Sequence, residues 1–389
     1  MITMYDILTL NKIAACGTDN FDSKYNVSDS AADPDAILVR SAKMHDMEFG
    51  KKLLAIGRAG AGVNNIPVDK CAEQGIVVFN TPGANANAVK ELVLTALLIS
   101  SRRVPDAMVW AQSLKGNGDE VGAMVEKGKS QFVGPEIAGK TLGIIGLGAI
   151  GGLVANAAVA LGMNVVGFDQ FLSVNAALHL DPRVKTVSDP KDVYSVSDYV
   201  TIHVPYNPQT KGTVNADVIS IMKDGARLIN LARGELVDTA ALLPALESGK
   251  IAAYVCDFPS EEILGVKNVI ALPHLGASTP EAEDNCAVMA AKELIDYIEN
   301  GNIRNSVNFP NASMQASGTK IVVLHKNVPS VISKVTDVLG SAGINIENMV
   351  NASKKEYACT LIDACGDIHS DIADKLGAVE NVIRVRVIG

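Results

Sequence analysis

A chain of 389 residues exceeds the roughly 100–200 residues of one ordinary domain, so two or three domains with ample core are expected. Hydrophobic residues make up 48% and charged residues 20%, a balance that excludes wholesale disorder. Thirty-four Lys and Arg against 43 Asp and Glu leave a net charge of −9, which disfavours sequence-independent binding to phosphodiester backbones and means that an anionic ligand needs a local basic cluster.

The start, Met1 to Leu10, lacks the basic segment and apolar core of a secretory leader. The most apolar stretch, Leu92 to Ser101, is too short to cross a bilayer. Six cysteines without a CxxC pair read as reduced thiols, so a cytoplasmic protein without a metal centre is expected.

In chain order, Ala36–Val39, Leu53–Ile56 and Gly75–Phe79 read as buried strands, and Ala88 to Ser101 as a long apolar helix. From Lys140 the alternation restarts: strand Thr141–Ile145, helix Gly151–Leu161, strand Asn164–Phe168. Strands Tyr199–His203, Arg227–Asn230, Ala252–Cys256 and Val269–Leu272 follow, then a closing helix, Ala282–Glu299. Strands alternating with helices predict an α/β domain with a parallel sheet. Gly301 to Gly318, rich in Asn, Ser and Pro, reads as a linker. After it, the order βαββαβ predicts a small ferredoxin-like domain.

Gly146, Gly148 and Gly151 fill G-x-G-x-x-G between a strand and a helix. The first permits a tight turn, the second close approach of a pyrophosphate, and the third close packing of helix on strand. Asp169 ends the next strand 18 positions after Gly151, where a carboxylate meets a ribose 2′-hydroxyl. Gln170 follows, with no arginine for a 2′-phosphate, so NAD is the expected cofactor. Ala149 and Ile150 complete the expected nucleotide loop, with Val204, Pro205 and Thr210 after a later strand. His203 there reads equally as a nucleotide contact or a packed strand-end residue.

Three further strands end in polar groups: Arg233, Asp257 and His274. An arginine clamps a carboxylate bidentately, and a histidine near neutrality takes a hydroxyl proton while hydride leaves the same carbon. A nearby carboxylate, Glu261, would orient the imidazole. Singly, Arg233 reads as well as a surface ion pair, Glu261 as a turn residue and His274 as a core histidine; the set points to an oxidoreductase. Leu231, Ala232, Asp257 and Gly276 are the remaining expected cofactor contacts.

With these motifs, with Val39-Arg40-Ser41, with the segment Gly57 to Asn65 and with Asn80-Thr81-Pro82, the chain resembles the D-isomer-specific 2-hydroxyacid dehydrogenases over nearly its whole length. The resemblance implies a Rossmann-type NAD domain and a flavodoxin-like, discontinuous substrate domain. The expected boundaries are residues 1–91 and 280–300 for the substrate domain, 92–279 for the NAD domain, 301–319 for the linker and 320–389 for the small domain. It implies that Arg233 binds the substrate carboxylate, that His274 is the acid–base and that Glu261 supports it. The family usually places this glutamate five residues after the aspartate, which counts to Glu262, so the choice between the two stays open. Arg40 and Arg58 become the basic cluster, with Ser41, Gly60 and Asn85 as further substrate contacts.

The implied reaction is NAD-dependent oxidation of D-3-phosphoglycerate to 3-phosphohydroxypyruvate, the first step of serine biosynthesis, in a homodimer or homotetramer. The alternatives are another 2-hydroxyacid reductase, acting on glyoxylate, hydroxypyruvate or 2-oxoglutarate, and a non-enzymatic NAD sensor. The last 70 residues resemble an ACT domain, which implies that His325, Asn327 and Asn345 hold L-serine. The glycine usual after Pro329 is Ser330 here.

Overall fold

The computed structural model describes residues 4–365, 368–369 and 371–389, and the chain divides into two units, 1–85 with 280–389 and 86–279. The first unit opens with a five-stranded parallel sheet: β1 (Tyr5–Leu10), β2 (Tyr25–Ser28), β3 (Ala36–Val39), β4 (Ala55–Arg58) and β5 (Val77–Asn80). Its order, β2-β1-β3-β4-β5, is the flavodoxin-like one. Every residue of β3 is buried, as expected of a central parallel strand covered on both faces. β4 runs two residues later than the sequence suggests, so Arg58 closes it, and β1 and β2 were not foreseen. Two short helices, α1 (Ala15–Thr18) and α2 (Val68–Glu73), belong to this layer.

The second unit begins with α3 (Ala86–Ser101), α4 (Val104–Ser113) and α5 (Val121–Gly128). Alternating elements follow: β6 (Thr141–Ile145), α6 (Ala149–Ala160), β7 (Asn164–Phe168), α7 (Val174–Leu178), β8 (Lys185–Thr186), α8 (Pro190–Val196) and β9 (Tyr199–Ile202). The unit ends with α9 (Ala216–Ile221), β10 (Ala226–Asn230), α10 (Thr239–Glu247), β11 (Ile251–Cys256) and β12 (Val269–Ala271). The seven strands are parallel, in the order β12-β11-β10-β9-β6-β7-β8, so the direction of winding reverses between β6 and β9. Open α/β sheets bind ligands beyond the carboxyl ends of their strands at such a reversal. Asp189, Asn215 and Asp238 cap α8, α9 and α10 by accepting first-turn backbone N–H bonds.

The chain returns to the first unit through α11 (Pro280–Asn300). Ala282, Cys286, Ala290, Leu294 and Tyr297 form a buried stripe at three- and four-residue intervals, the period of one helix face. A Cβ at Gly17 would lie 2.6 Å from that of Ala287, so the glycine lets α1 pack closely on α11.

The expected linker after α11 is a packed segment. Ile303 and Phe309 are fully buried. The side chain of Asn308 accepts from the Val78 backbone N–H at 3.0 Å and donates to the Ile76 carbonyl at 2.9 Å. The amide thus serves β5 where the sheet has no further strand, which is why a polar composition here does not mean a solvated tether.

The last portion is β13 (Thr319–Lys326), α12 (Val331–Ser341), β14 (Asn345–Lys354), β15 (Tyr357–Cys365), α13 (Ile372–Gly377) and β16 (Val382–Ile388). Its antiparallel order, β14-β15-β13-β16, is that of a ferredoxin-like βαββαβ domain. One sheet face packs Ile321, Val323 and Ile362 with Val335, Leu339 and Leu376 of the two helices. The other carries Val322, Leu324 and Leu361 into one core with Phe79, Tyr297 and Phe309. Arg386 adds bonds to the carbonyls of Tyr297 and Ile298 at 2.7 and 2.6 Å, and Arg384 reaches those of Lys51 and Leu53. Ser330 has φ +69°, the left-handed region where glycine costs less.

Candidate active site

The glycine-rich turn is built as its spacing predicts. Gly146, just after β6, has φ +95°, and a Cβ there would lie 2.6 Å from the His203 carbonyl. Gly148 caps α6 with open space where its side chain would be, the opening a pyrophosphate needs above a helix N-terminus. A Cβ on Gly151 would stand 1.9 Å from the Gly146 carbonyl. Ala149 and Ile150 form the first turn of α6. Asp169 follows β7, and its Oδ2 accepts from the Leu147 N–H of the same turn at 2.8 Å, Oδ1 from Phe171 N–H. Each oxygen keeps a second lone pair, which suits a ribose hydroxyl.

Beside this turn, Val204 approaches Gly146. His203 is half-buried: burial pushes its imidazole down to about 4, so it is neutral at pH 7, and Nε2 lies 3.0 Å from the Thr201 hydroxyl. The Thr210 hydroxyl is likewise engaged, donating to the Pro205 carbonyl at 2.6 Å and accepting from Asn207 N–H. It shapes the loop.

At the carboxyl ends of β10, β11 and β12 a set of side chains converges. Arg233 is exposed just after β10, its guanidinium 4.9 Å from the centre of the Phe258 ring. Phe258 follows β11 and packs on His274 with ring centroids 4.4 Å apart. His274 itself is exposed and holds φ +57°, a strained conformation that its surroundings enforce. They do so through Asp257, fully buried, whose carboxylate accepts from Leu275 N–H and Gly276 N–H, both at 2.7 Å, while its carbonyl accepts from His274 N–H at 3.1 Å. A Cβ on Gly276 would lie 3.1 Å from that carboxylate. Buried Asn230 performs the same service for Arg233, donating to the Arg233 carbonyl at 2.7 Å and accepting from Ala232 N–H at 3.2 Å. Leu231 between them is buried.

Phe258 and Asn230 are the functional neighbours that sequence reasoning missed, although both stand inside the motifs that carried Arg233 and Asp257. The glutamate is the reverse case. Glu261 and Glu262 are both exposed in a single 3-10 turn, and no hydrogen bond or ion pair joins either to His274 among the described residues. The structure does not make the expected Glu261–His274 pair.

In the first unit, Arg58 at the end of β4 donates from Nε to the Arg40 carbonyl at 3.1 Å, which gathers the two arginines at adjacent strand ends. Gly60 has φ +146°, and a Cβ there would collide with the Arg58 guanidinium. Arg40 is not a bare cation: it forms an ion pair with Glu283 of α11. Ser41 N–H and Ala42 N–H are both held by Asn11 Oδ1. Asn85 is half-buried at the end of this portion.

In the small domain, His325 is 3% exposed, with its ring nitrogens 2.7 Å from the Lys326 carbonyl and 2.9 Å from the Thr360 hydroxyl. Asn327 and Asn345 are exposed, and their amides bind the Lys355 carbonyl and Glu347 respectively.

A sheet wound about β6, a glycine turn answered by an acidic strand end, and an Arg–Phe–His set over neighbouring strand ends define a doubly wound α/β fold with a dinucleotide-type turn. More closely, the chain belongs to the D-isomer-specific 2-hydroxyacid dehydrogenases. Residues 94–276 match the NAD-binding domain model of that family. Over 87% of its length the chain is 34% identical to D-3-phosphoglycerate dehydrogenase of Escherichia coli K12, covering 82% of that protein. It is 37% identical over 77% of its length to the Synechocystis protein of the same name, but spans only 53% of it. The chain therefore spans about half the length of that relative. Among solved structures, apo D-mandelate dehydrogenase of Rhodotorula graminis shares the fold, with TM-score 0.65 at 22% identity over 77% of this chain and 96% of that one. NAD is the family's cofactor at this domain.

Proposed function

We propose that this chain catalyses NAD-dependent oxidation of D-3-phosphoglycerate to 3-phosphohydroxypyruvate, the entry step of serine biosynthesis. The observation that carries the chemistry is the Arg233–Phe258–His274 set beside a complete dinucleotide turn. The relatives named for phosphoglycerate and the Arg40–Arg58 pair supply the choice of substrate.

In this reading Arg233 holds the substrate carboxylate through its fork of N–H donors. Phe258 packs against both guanidinium and imidazole. His274 accepts the C2 hydroxyl proton as C2 gives up its hydride, so alcohol becomes carbonyl and imidazole becomes imidazolium. Bound NAD supplies the hydride acceptor. Asp257 and Asn230 keep the two loops in register, and Glu261 or Glu262 reaches the imidazolium only if the 3-10 turn moves. Arg40 and Arg58 take the phosphate, for which Arg40 exchanges Glu283 for the ligand.

The same reading includes a homo-oligomer and L-serine as effector of the small domain. α4 buries none of its residues and leaves Met108 and Val109 63% and 74% exposed, an apolar face suited to a second copy. Exposed Asn327 and Asn345 offer polar contacts to serine, and His325, the third residue of this reading, lies buried against the Lys326 carbonyl and the Thr360 hydroxyl.

The test is NADH oxidation by the purified chain with 3-phosphohydroxypyruvate, hydroxypyruvate and 2-oxoglutarate side by side. A preference of about a hundredfold or more for the phosphorylated acid is expected, the order a well-used charged contact supplies. Equal rates on all three would make the chain a general 2-hydroxyacid reductase. No turnover on any would leave a nucleotide-sensing role. Added L-serine should lower the rate, and unchanged rates would remove the effector from the reading.

A further inference from the structure

A recess of about 570 Å³ opens on the first unit, bordered by α1, α11 and residues 302–305. That volume lies within the roughly 300–1,000 Å³ of small-molecule sites. It uses none of the residues assigned above to cofactor, substrate or effector. Val288 and Met289 give it an apolar portion.

Its polar part is unusual. Glu293 is only 9% exposed; one carboxyl oxygen accepts from Asn305 Nδ2 at 2.8 Å, and the other is buried with no hydrogen-bond partner. A carboxyl oxygen left so is costly unless something else meets it. The preceding residue, Lys292, lines the same recess and forms no ion pair among the described residues. Arg304, by contrast, lies 3.9 Å from Asp296. An unmet carboxyl and an unpaired ammonium, adjacent on one helix and beside an apolar surface, are the complement of a molecule carrying both charges on a short skeleton.

We propose that this recess binds a small zwitterion of the amino-acid class, its ammonium taken by Glu293 and its carboxylate by Lys292. Asn302, which also lines the recess, accepts from Lys320 Nζ of β13 at 2.7 Å, so occupancy bears on the first strand of the small domain.

Burial pushes Glu293 up to about 8, so its carboxyl is protonated at neutral pH and an arriving ammonium displaces that proton. The other charged or titratable groups lining the recess are Asp284, Lys292 and Asp296 of α11, Arg304 after it and Cys16 of α1.

Calorimetric titration of the full chain with each of the standard L-amino acids except L-serine, which the reading above assigns to the small domain, at pH 7 in two buffers of different ionisation heat, tests this. At least one should bind saturably, release close to one proton per site, and lose roughly tenfold or more in affinity in Glu293→Gln. Lys292→Gln, an exposed position that folding does not need, should weaken the same ligand and serves if Glu293→Gln misfolds. Asn345→Ala should leave that binding unchanged. No binding by any of these amino acids, binding without proton release, or binding untouched by both α11 variants overturns the proposal. Loss in Asn345→Ala instead would move the ligand to the small domain and overturn it equally.

Discussion

Phe258 joins Arg233 to His274, and neither of those side chains meets another ring among the described residues. Both are exposed, so without the ring each samples more rotamers. Catalysis depends on such side chains staying near one geometry. Phe258→Leu is expected to lower kcat by roughly tenfold while leaving NADH affinity and Tm nearly unchanged. A matched loss of nucleotide binding in a fluorescence titration would show the ring to be structural. The residue scale is also where the sequence was read best and worst. Gly146 and Gly151 were legible because each answers a steric demand that only glycine meets, and Gly148 because it leaves the approach to a helix N-terminus open. Phe258 was missed because an apolar residue beside a strand-end aspartate carries no chemical signal of its own. The partner of Arg40, Glu283, lies 243 positions away, beyond any local pattern.

At the scale of elements, the segment after α11 behaves as part of the first sheet's layer. Two buried asparagine bonds tie it to β5, and Phe309 is fully buried beneath it. Asn308→Ala leaves the Val78 N–H and the Ile76 carbonyl without partners in a buried setting, each on the order of 1–3 kcal/mol. Thermal unfolding of that variant should show a Tm lower by several degrees. An unchanged Tm would mean that the segment is the tether its composition suggested. Composition misled here because Asn, Ser and Pro mark solvated chain only when their side chains have no backbone to satisfy. Hydrophobic periodicity located β3, β5 and the core of the second sheet. The short β2 and the mixed β1 lay below its reach, since four to six residues of partial burial carry little pattern.

For the whole molecule, one buried acid links stability to pH. The Glu293 carboxyl sits at about 8 in the fold against an ordinary 4.5, so between those values the native state keeps a proton that the unfolded chain has released. Stability therefore falls as pH rises through that window, by an amount on the order of a few kcal/mol once it is crossed. Asp198 and Asp363 act oppositely: backbone N–H bonds hold their carboxyls below the usual range, so their stabilisation is lost only as pH falls through the acid region. Tm should decline from mildly acidic to mildly alkaline pH, and Glu293→Gln should flatten that decline. Parallel curves for the two proteins would show that Glu293 titrates normally.

The α/β class with parallel sheets was largely legible in the sequence, because alternating strands and helices leave few topologies. The docking of the small domain was not. It rests on Arg384 and Arg386 binding carbonyls some 330 and 90 residues distant, respectively, and on a sheet face whose apolar residues look like those of any strand.

The central claim is that His274 performs proton transfer rather than holding the loop that carries it. The most direct measurement is the kcat of His274→Asn with 3-phosphohydroxypyruvate and NADH, together with NADH affinity by fluorescence titration. A fall in kcat of about a hundredfold or more, with affinity kept within roughly threefold, is the predicted result. Losses of similar size in both quantities, or a kcat close to that of the unaltered protein, would contradict it.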